Sequence, residues 1–262
     1  MKAIILSAGQ GRRLLPFTES RPKCLLPVLG ERTILDLQLR ALAENGVHEI
    51  AVMVGFAADQ VEEHLAENMI EGLQVYTSYN PFYAESDNLM TCWLARSEMN
   101  RDFVLLNGDS LFEPAVLARL LASPEADLTL AVNKKQSYDS DDMKVILDGQ
   151  NRLRSVGKTL PVDEVDAESI GVMAWRGRGT GAFRRALESA VRERKAQRAW
   201  YLSVVNDMAR NMPIETADVS DLWWGEVDSP EDLTEVRLAL EKREGKRPAP
   251  SHAATRAMRP GG

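Results

Sequence analysis

The sequence predicts an α/β protein with a doubly wound, mostly parallel sheet and an inserted β-hairpin. Short apolar runs of strand length alternate with amphipathic segments of helix length, beginning with the strand Lys2–Leu6. The connections between them are short, which is typical of right-handed parallel crossovers. Ligands of such sheets bind beyond the carboxyl ends of the strands, so the residues that follow each predicted strand are the candidate site residues.

The first half of the chain supplies the repeated strand–helix steps. Leu35, Leu39 and Leu42 form the apolar face of the first helix, which ends at Asn45-Gly46. Further strands are predicted over 49–55, 73–77, 102–106 and 127–132, and further helices over 58–67, 89–97 and 114–122. This alternation continues to about residue 133.

The second half has a different pattern. Two short β-like runs, 145–147 and 153–156, flank the turn Asp148-Gly149-Gln150-Asn151 and predict a hairpin. A strand over 168–175, helices over 179–197 and 201–211, and a strand over 214–218 follow. A short strand at Trp223 then leads into a last helix capped by Ser229. Residues 245–262 are rich in Lys, Arg, Pro, Ala and Gly and are expected to be a disordered tail.

Composition excludes several classes of function. The net charge of −7 and the pI of about 5.2 disfavour a nucleic-acid or anionic-membrane surface. Two distant cysteines and three scattered histidines offer no zinc-ligand spacing or disulfide framework. Because the sequence opens on a strand and has no apolar run near twenty residues, we expect a cytoplasmic protein.

The segment after the first strand, Gly9-Gln10-Gly11-Arg12-Arg13, has the properties of a phosphate-binding loop. Two glycines one residue apart let several backbone N–H groups approach one anion closely. The two arginines and Lys23 add permanent positive charge. Leu14 stands where the dinucleotide fingerprint needs its third glycine, and the Walker spacing is also absent.

The loop is part of a longer string, Leu6-Ser7-Ala8-Gly9-Gln10-Gly11-Arg12-Arg13-Leu14-Leu15-Pro16-Phe17-Thr18, which is followed by Arg21-Pro22-Lys23-Cys24-Leu25-Leu26-Pro27. This string resembles the signature of the nucleotidyltransferases that make sugar nucleotides and CDP-alcohols. The resemblance implies a Rossmann-like nucleotidyltransferase fold in which Arg13 and Lys23 are catalytic. It also implies that Leu6, Ser7, Ala8, Gly9, Gly11 and Arg12 bind the nucleotide. Ser7 and Arg12 depart from the residues common in the family, and the extra charge of Arg12 has no assigned role.

Two aspartates are the predicted metal ligands. Asp109 follows Asn107-Gly108 directly after a buried strand, where a carboxylate can hold a divalent cation. Asp228 precedes the cap of the last helix, in a segment that resembles the closing motif of the family. Capping and turn formation explain the residues around them, but not Asp228 itself. The expected cofactor is Mg²⁺.

The aromatic and polar segment 79–88 is expected to hold the nucleotide base. Asn80, Asp87 and Asn88 are its candidate contacts, because the segment resembles the choline-phosphate cytidylyltransferase branch of the family and an amide can pair with a pyrimidine edge. Helix capping is the alternative role of Asp87 and Asn88.

Acceptor recognition is expected in the later part of the chain. Lys158 after the hairpin and Glu168 in Glu168-Ser169-Ile170-Gly171 resemble the family's acceptor segments, with Lys158 catalytic and Glu168 and Lys144 acceptor-binding. This divides a single domain, 1–244, into a nucleotide-binding core, 1–133, and an acceptor-binding and closing segment, 134–244.

The sequence therefore predicts transfer of a nucleoside monophosphate, with CTP the favoured donor and a small phosphorylated alcohol or phosphonate the favoured acceptor. A sugar-1-phosphate nucleotidylyltransferase is the alternative enzyme, and a regulatory module without catalysis is the alternative outside enzymes. No nucleic-acid or membrane partner is expected. A homodimer is compatible with the sequence, which does not fix the oligomeric state.

Overall fold

The computed structural model describes residues 1–122 and 126–245. The predicted tail therefore lies outside the described residues, apart from Gly245. The strands are β1 Lys2–Leu6, β2 Pro27–Leu29, β3 Arg32–Thr33, β4 Glu49–Val54, β5 Gln74–Tyr79, β6 Phe103–Asn107, β7 Ser110–Phe112, β8 Leu128–Asn133, β9 Lys144–Leu147, β10 Leu153–Gly157, β11 Ala167–Trp175, β12 Glu215–Asp218 and β13 Trp224–Glu226. The helices are α1 Ile34–Glu44, α2 Ala58–Glu67, α3 Asn88–Leu94, α4 Pro114–Ala122, α5 Gly177–Ala190, α6 Tyr201–Ala209 and α7 Pro230–Glu244.

The main sheet has the order β10-β9-β11-β6-β1-β4-β5, and β8 joins it by pairing with both β11 and β12. The strands β6, β1, β4 and β5 are parallel to one another, as the short crossovers predict. The register sets Leu6 beside Met53 on one neighbour and beside Asn107 on the other. The carboxyl ends of these strands therefore meet at one edge of the sheet.

The second half of the chain enters the sheet through β11. This strand is antiparallel to β6, with Val172 opposite Leu106, so its first residues reach the edge where the parallel strands end. The predicted hairpin is confirmed as the antiparallel pair β9–β10. Since β11 pairs with both β6 and β8, the sheet is continuous across residue 133. The functional division at that residue stays a prediction.

Helices cover both faces of the sheet, because alternate residues of each central strand face opposite layers. On β1, Ile4 packs in a cluster with α3, α5 and α6, whereas Ala3 and Ile5 pack in a cluster with α1, α2 and α4. Among the described residues no helix has both the length and the apolarity needed to cross a membrane. The fifth helix ends at Ala190, seven residues before its predicted end at 197.

Two capping boxes fix helices that border the site. Thr33 Oγ1 accepts from Asp36 N while Asp36 accepts from Thr33 N, which starts α1. Ser229 and Asp232 do the same at the start of α7, and Pro230 occupies its first turn. The predicted role of Ser229 as a cap is confirmed. The box holds the chain rigidly directly after Asp228.

Candidate active site

The loop after β1 curls over the edge of the sheet. Gly11 has φ 72°, a left-handed conformation that a residue with a side chain adopts only at a cost. A Cβ at Gly11 would stand 3.1 Å from Lys23 Cδ. Thr18 Oγ1 donates to Gly11 O at 2.8 Å and ties the loop to the segment that follows. The loop and Lys23 are thereby packed against each other.

Three carboxylates converge beside this loop from two distant parts of the chain. Asp109 lies in the turn between β6 and β7, while Glu226 ends β13 and Asp228 follows it. Antiparallel pairing sets Glu226 opposite Ser110. One carboxylate oxygen from each residue lies within 4.8 Å of the other two. This pairing brings together residues more than a hundred positions apart.

Cations lie directly against these carboxylates. Lys23 Nζ is 2.9 Å from Asp109 Oδ2 and 2.6 Å from Asp228 Oδ1. Arg13 Nη2 is 2.6 Å from Asp228 Oδ2. On the other side, Asp141 bridges two cations, at 3.2 Å from Arg13 Nη1 and 3.4 Å from Lys158 Nζ. The cations therefore face one shared space from different elements.

The charges shift one another's pKa values. Burial lowers the pKa of Lys23, but Asp109 and Asp228 outweigh it and leave the pKa above its usual value. Burial raises the pKa of Asp228, yet Lys23 and Arg13 outweigh it and hold that pKa below its usual value. Burial, followed by the charges of Asp109 and Asp228, raises the pKa of Glu226 to about 8. The three acidic groups thus repel one another, and Lys23 and Arg13 offset part of that repulsion.

This donor set fits a divalent metal ion such as Mg²⁺. All three side chains offer carboxylate oxygens, which hard cations prefer. In addition, Asp109 Oδ1 is buried and accepts no hydrogen bond within the described structure. Buried polar atoms normally have partners, so this oxygen is free to act as a ligand. Asp109, Glu226 and Asp228 are therefore the residues that could hold the ion.

These groups line one cavity of about 360 Å³ at the carboxyl ends of the parallel strands. Comparison with known proteins identifies the family of the chain, since residues 2–140 match the family described as Nucleotidyl transferase. The chain belongs to this nucleotidyl transferase family.

Two curated relatives show how far the similarity extends. The CMP-5'-(3-aminopropyl)phosphonate synthase of Streptomyces rubellomurinus is 35% identical over 88% of this chain and 37% of its own length. The bifunctional IPC transferase and DIPP synthase of Aquifex aeolicus is 27% identical over 92% of this chain and 52% of its own length. The chain therefore spans between about a third and a half of the length of these relatives.

Solved structures share the fold. The inositol-1-phosphate CTP transferase from T. maritima superposes with a TM-score of 0.77 at 22% identity, covering 94% of this chain and 96% of that one. The CTP:phosphocholine cytidylyltransferase from Streptococcus pneumoniae gives 0.71 at 19% identity, covering 91% and 98%. The predicted Rossmann-like nucleotidyltransferase fold is confirmed.

Most of the predicted site residues of this nucleotidyl transferase lie along the same cavity. They are Leu6, Ser7, Gly9, Gly11, Arg13, Lys23, Asp87, Asn88, Asp109, Lys158 and Asp228. Asp87 precedes α3 but its side chain makes no capping hydrogen bond, whereas Asn88 Oδ1 accepts from Tyr201 N at the start of α6. Capping thus applies to Asn88, although to a helix other than the expected one.

Five predicted site residues do not line this cavity. The Asn80 side chain is fully buried, donates to Thr91 Oγ1 at 2.9 Å and accepts from Phe82 N at 2.8 Å. Lys144 is 2% exposed, and its ammonium donates to Lys158 O at 3.0 Å. Both side chains therefore have partners within the protein, and their roles in binding stay predictions.

Two further residues of the predicted set lie in or near the loop without lining the cavity. Ala8 is buried, and its carbonyl accepts from Phe56 N at 3.0 Å. Arg12 is exposed, and its Nε is 3.4 Å from Gln10 Oε1. The extra charge of Arg12 therefore lies outside the candidate site.

The fifth, Glu168, lines a neighbouring cavity of about 610 Å³ that we call the acidic cavity. Its carboxylate accepts from Asn133 Nδ2 at 2.8 Å and pairs with Lys135 Nζ at 2.9 Å. Burial raises the pKa of Glu168. The remaining acidic residues that line this cavity are Asp139, Asp141, Asp142, Glu226, Asp228, Asp232 and Glu235.

Sequence reasoning missed Glu226 and Trp200. A signal for Glu226 was present, because residues two apart on an extended strand face the same side and Asp228 was already a candidate. Trp200 lines the cavity of about 360 Å³ that contains the carboxylate triad, and its ring lies 4.7 Å from Lys158 Nζ. Nothing local distinguishes this tryptophan, since its position depends on how α6 docks against the sheet.

Proposed function

We propose that this chain transfers CMP from CTP to a small phosphate or phosphonate acceptor and releases pyrophosphate. One observation carries the reaction class. A glycine loop, the cations Arg13, Lys23 and Lys158, and a carboxylate triad line a single cavity. The choice of CTP is supported by the relatives, whose names describe CMP or CTP chemistry on phosphonate, inositol phosphate and phosphocholine.

The reaction requires that the two substrates be positioned and that their negative charges be balanced, but it does not require a proton relay. An acceptor phosphate near pH 7 is largely dianionic, so its oxygen can attack the α-phosphorus without a general base. The new P–O bond forms as the bond to the β-phosphate oxygen breaks, and pyrophosphate leaves with the electron pair. No histidine is among the described residues that line the cavity. This composition suits a reaction limited by repulsion between anions.

The chain's own residues divide this task. Backbone N–H groups of the loop around Gly9 and Gly11 hold the triphosphate. Arg13 and Lys23 place fixed positive charge where negative charge grows on the leaving pyrophosphate. Asp109, Glu226 and Asp228 would hold Mg²⁺, which would supply positive charge to the phosphates. Asp87 and Asn88 are positioned to contact the base.

Lys158 binds the phosphate or phosphonate group of the acceptor. Its ammonium pairs with the exposed Asp141 carboxylate, which also pairs with Arg13 of the loop. A phosphate or phosphonate bound to Lys158 would replace Asp141 with a stronger anion. The Trp200 ring lies 4.7 Å from Lys158 Nζ, and Lys144 Nζ donates to the Lys158 carbonyl at 3.0 Å. These two contacts hold Lys158 in place.

The acidic cavity supports an acceptor that also carries a positive charge. It opens beside Asp141 and contains a surplus of carboxylates, with the Trp224 ring among its lining residues. Carboxylates and an aromatic face attract an amine or a quaternary ammonium group. In an aminoalkylphosphonate or phosphocholine, the anionic group would pair with Lys158 and the cationic group with the carboxylates of this cavity.

A panel of donors and acceptors tests the proposal. Pyrophosphate release is measured with CTP, UTP, dTTP and GTP against 2-aminoethylphosphonate, phosphocholine and glucose 1-phosphate. We expect CTP with a cationic acceptor to give the highest kcat/KM. A preference for glucose 1-phosphate with dTTP, UTP or GTP would instead identify a sugar-1-phosphate nucleotidylyltransferase. Tight nucleotide binding without pyrophosphate release from any pair would indicate a regulatory module.

A further inference from the structure

A buried amide on α1 contacts the turn that carries Asp109. Gln38 is 1% exposed and lies in the middle of the helix. Its Nε2 donates to Asn107 O at 2.8 Å and to Ser110 O at 2.8 Å. The two carbonyls stand on either side of Asp109 in sequence. Both N–H groups of one side chain therefore hold the two ends of a four-residue turn.

This contact is more specific than packing requires. Gln38 Oε1 is buried and accepts no hydrogen bond within the described structure, which costs free energy. Leucine or methionine would fill the same space without that cost. The two donors are therefore what distinguishes glutamine from an apolar residue here. Their partners are the backbone carbonyls of Asn107 and Ser110.

The same turn also sets the position of the other two carboxylates. Val227 N donates to Asp109 O at 3.2 Å. Glu226 lies opposite Ser110 in the β7–β13 pair. A displacement of the turn therefore changes the distances among Asp109, Glu226 and Asp228 together. On the far side of the turn, Tyr201 donates to Asn107 Oδ1 at 3.0 Å and limits movement in that direction.

We propose that Gln38 is a positioning residue for the cation site of the carboxylate triad. It touches no ligand itself, and it acts by holding the Asn107–Ser110 turn in the conformation that brings the three carboxylates together. The inference rests on the proposed metal-dependent transfer, but it can fail separately from it. Partners that orient metal ligands typically change metal affinity by about 10- to 100-fold when removed.

A second amide, directly after the last residue of the same helix, provides the control. Asn45 Nδ2 donates to Ala41 O at 2.8 Å and to Pro114 O at 3.0 Å. It therefore makes the same number of bonds of the same kind, about 10 Å farther along the helix. The Asn45→Leu variant loses two amide–carbonyl bonds without touching the turn. The Gln38→Met variant also loses two amide–carbonyl bonds, but these are the bonds that hold the Asn107–Ser110 turn.

The experiment measures Mn²⁺ binding directly, from the signal of free Mn²⁺ in electron paramagnetic resonance, for the full chain and both variants. Urea unfolding of each protein in EDTA is measured in parallel. We expect Gln38→Met to raise the Mn²⁺ Kd at least about tenfold and Asn45→Leu to leave it unchanged. The Mg²⁺ concentration for half-maximal turnover should rise with that Kd, while the acceptor KM stays unchanged.

An unchanged Mn²⁺ Kd in Gln38→Met would overturn the proposal and leave the metal site intact. An equal rise in both variants would also overturn it, since it would reflect general loss of stability. Absence of Mn²⁺ binding in the unaltered chain would overturn both the metal site and the role of Gln38. If Gln38→Met does not fold, Gln38→Asn carries the same test, because its shorter side chain cannot reach both carbonyls.

Discussion

Lys23 offers the sharpest test of the site, because one substitution affects both stability and turnover. Its ammonium is 12% exposed and lies 2.9 Å and 2.6 Å from two carboxylates that are 24% and 28% exposed. At an effective dielectric constant of about 20, each contact is worth roughly 6 kcal/mol of attraction before burial is counted. Desolvation offsets most of this attraction.

The net effect of Lys23→Met follows from what the carboxylates retain. Breaking a buried ion pair commonly costs about 3–5 kcal/mol. Here Asp228 keeps Arg13 as a partner, and both carboxylates keep some water. We therefore expect the free energy of unfolding to fall by about 2 kcal/mol in EDTA. A divalent cation should restore part of this loss, because it supplies the missing positive charge to the three carboxylates.

Turnover should fall more than stability alone explains. Removal of one preorganised group that stabilises transition-state charge commonly lowers the rate by roughly 10²-fold. Urea unfolding with and without Mg²⁺ and steady-state pyrophosphate release measure the two effects. Lys195→Met is the control, since that side chain is 82% exposed and should change stability by less than about 0.5 kcal/mol. Near-normal turnover in a folded Lys23→Met protein would refute the assignment.

Three further predictions follow from the structure. Asp109→Ala should lower turnover at least about a hundredfold while the protein remains folded, as measured by pyrophosphate release and circular dichroism; retained activity would exclude Asp109 as a metal ligand. Lys158→Ala should raise the acceptor KM about tenfold or more and leave the CTP KM nearly unchanged, and a rise in the CTP KM alone would place Lys158 on the nucleotide side. Glu98→Gln should lower the free energy of unfolding at pH 7 by about 1 kcal/mol, because Glu98 accepts from Lys2 and Tyr76. Burial raises the pKa of Glu98, but Lys2 and Tyr76 outweigh it and lower the pKa. The stabilisation is therefore present above about pH 4.3 and disappears as the pH falls through the folded-state pKa. If urea unfolding gives the same difference in unfolding free energy between the two proteins at pH 7 and at pH 4, the prediction is contradicted.

The buried network around Lys2 shows why the last prediction concerns stability alone. Lys2 pairs with Glu49 at 3.0 Å and Glu98 at 2.8 Å, at the end of β1 opposite the phosphate loop. A change there should leave turnover unaffected. Stability and catalysis are thus tested at opposite ends of the same strand.

Residues in local motifs could be assigned from the sequence alone. The loop from Gly9 to Arg13, the turn at Asp109 and the cap after Asp228 each depend on residues within a few positions, and strand–helix alternation predicts parallel pairing. The same local rules account for the confirmed hairpin and the Ser229 cap. This is why the fold class and about half of the cavity lining could be predicted.

The tertiary structure decided what local rules cannot. The entry of β11 between β6 and β8, and the pairing of β7 with β13, join segments far apart in sequence, and no short-range preference specifies such pairings. The β7–β13 pairing brought Glu226 into the carboxylate triad, and the packing of α1 against the end of β6 and the start of β7 brought Gln38 to the turn. Asn80 and Lys144 are buried, because which way a polar side chain faces depends on the neighbours that pack around it. A sequence specifies which chemical groups are present near each turn, but only the packed sheet sets the distances between them.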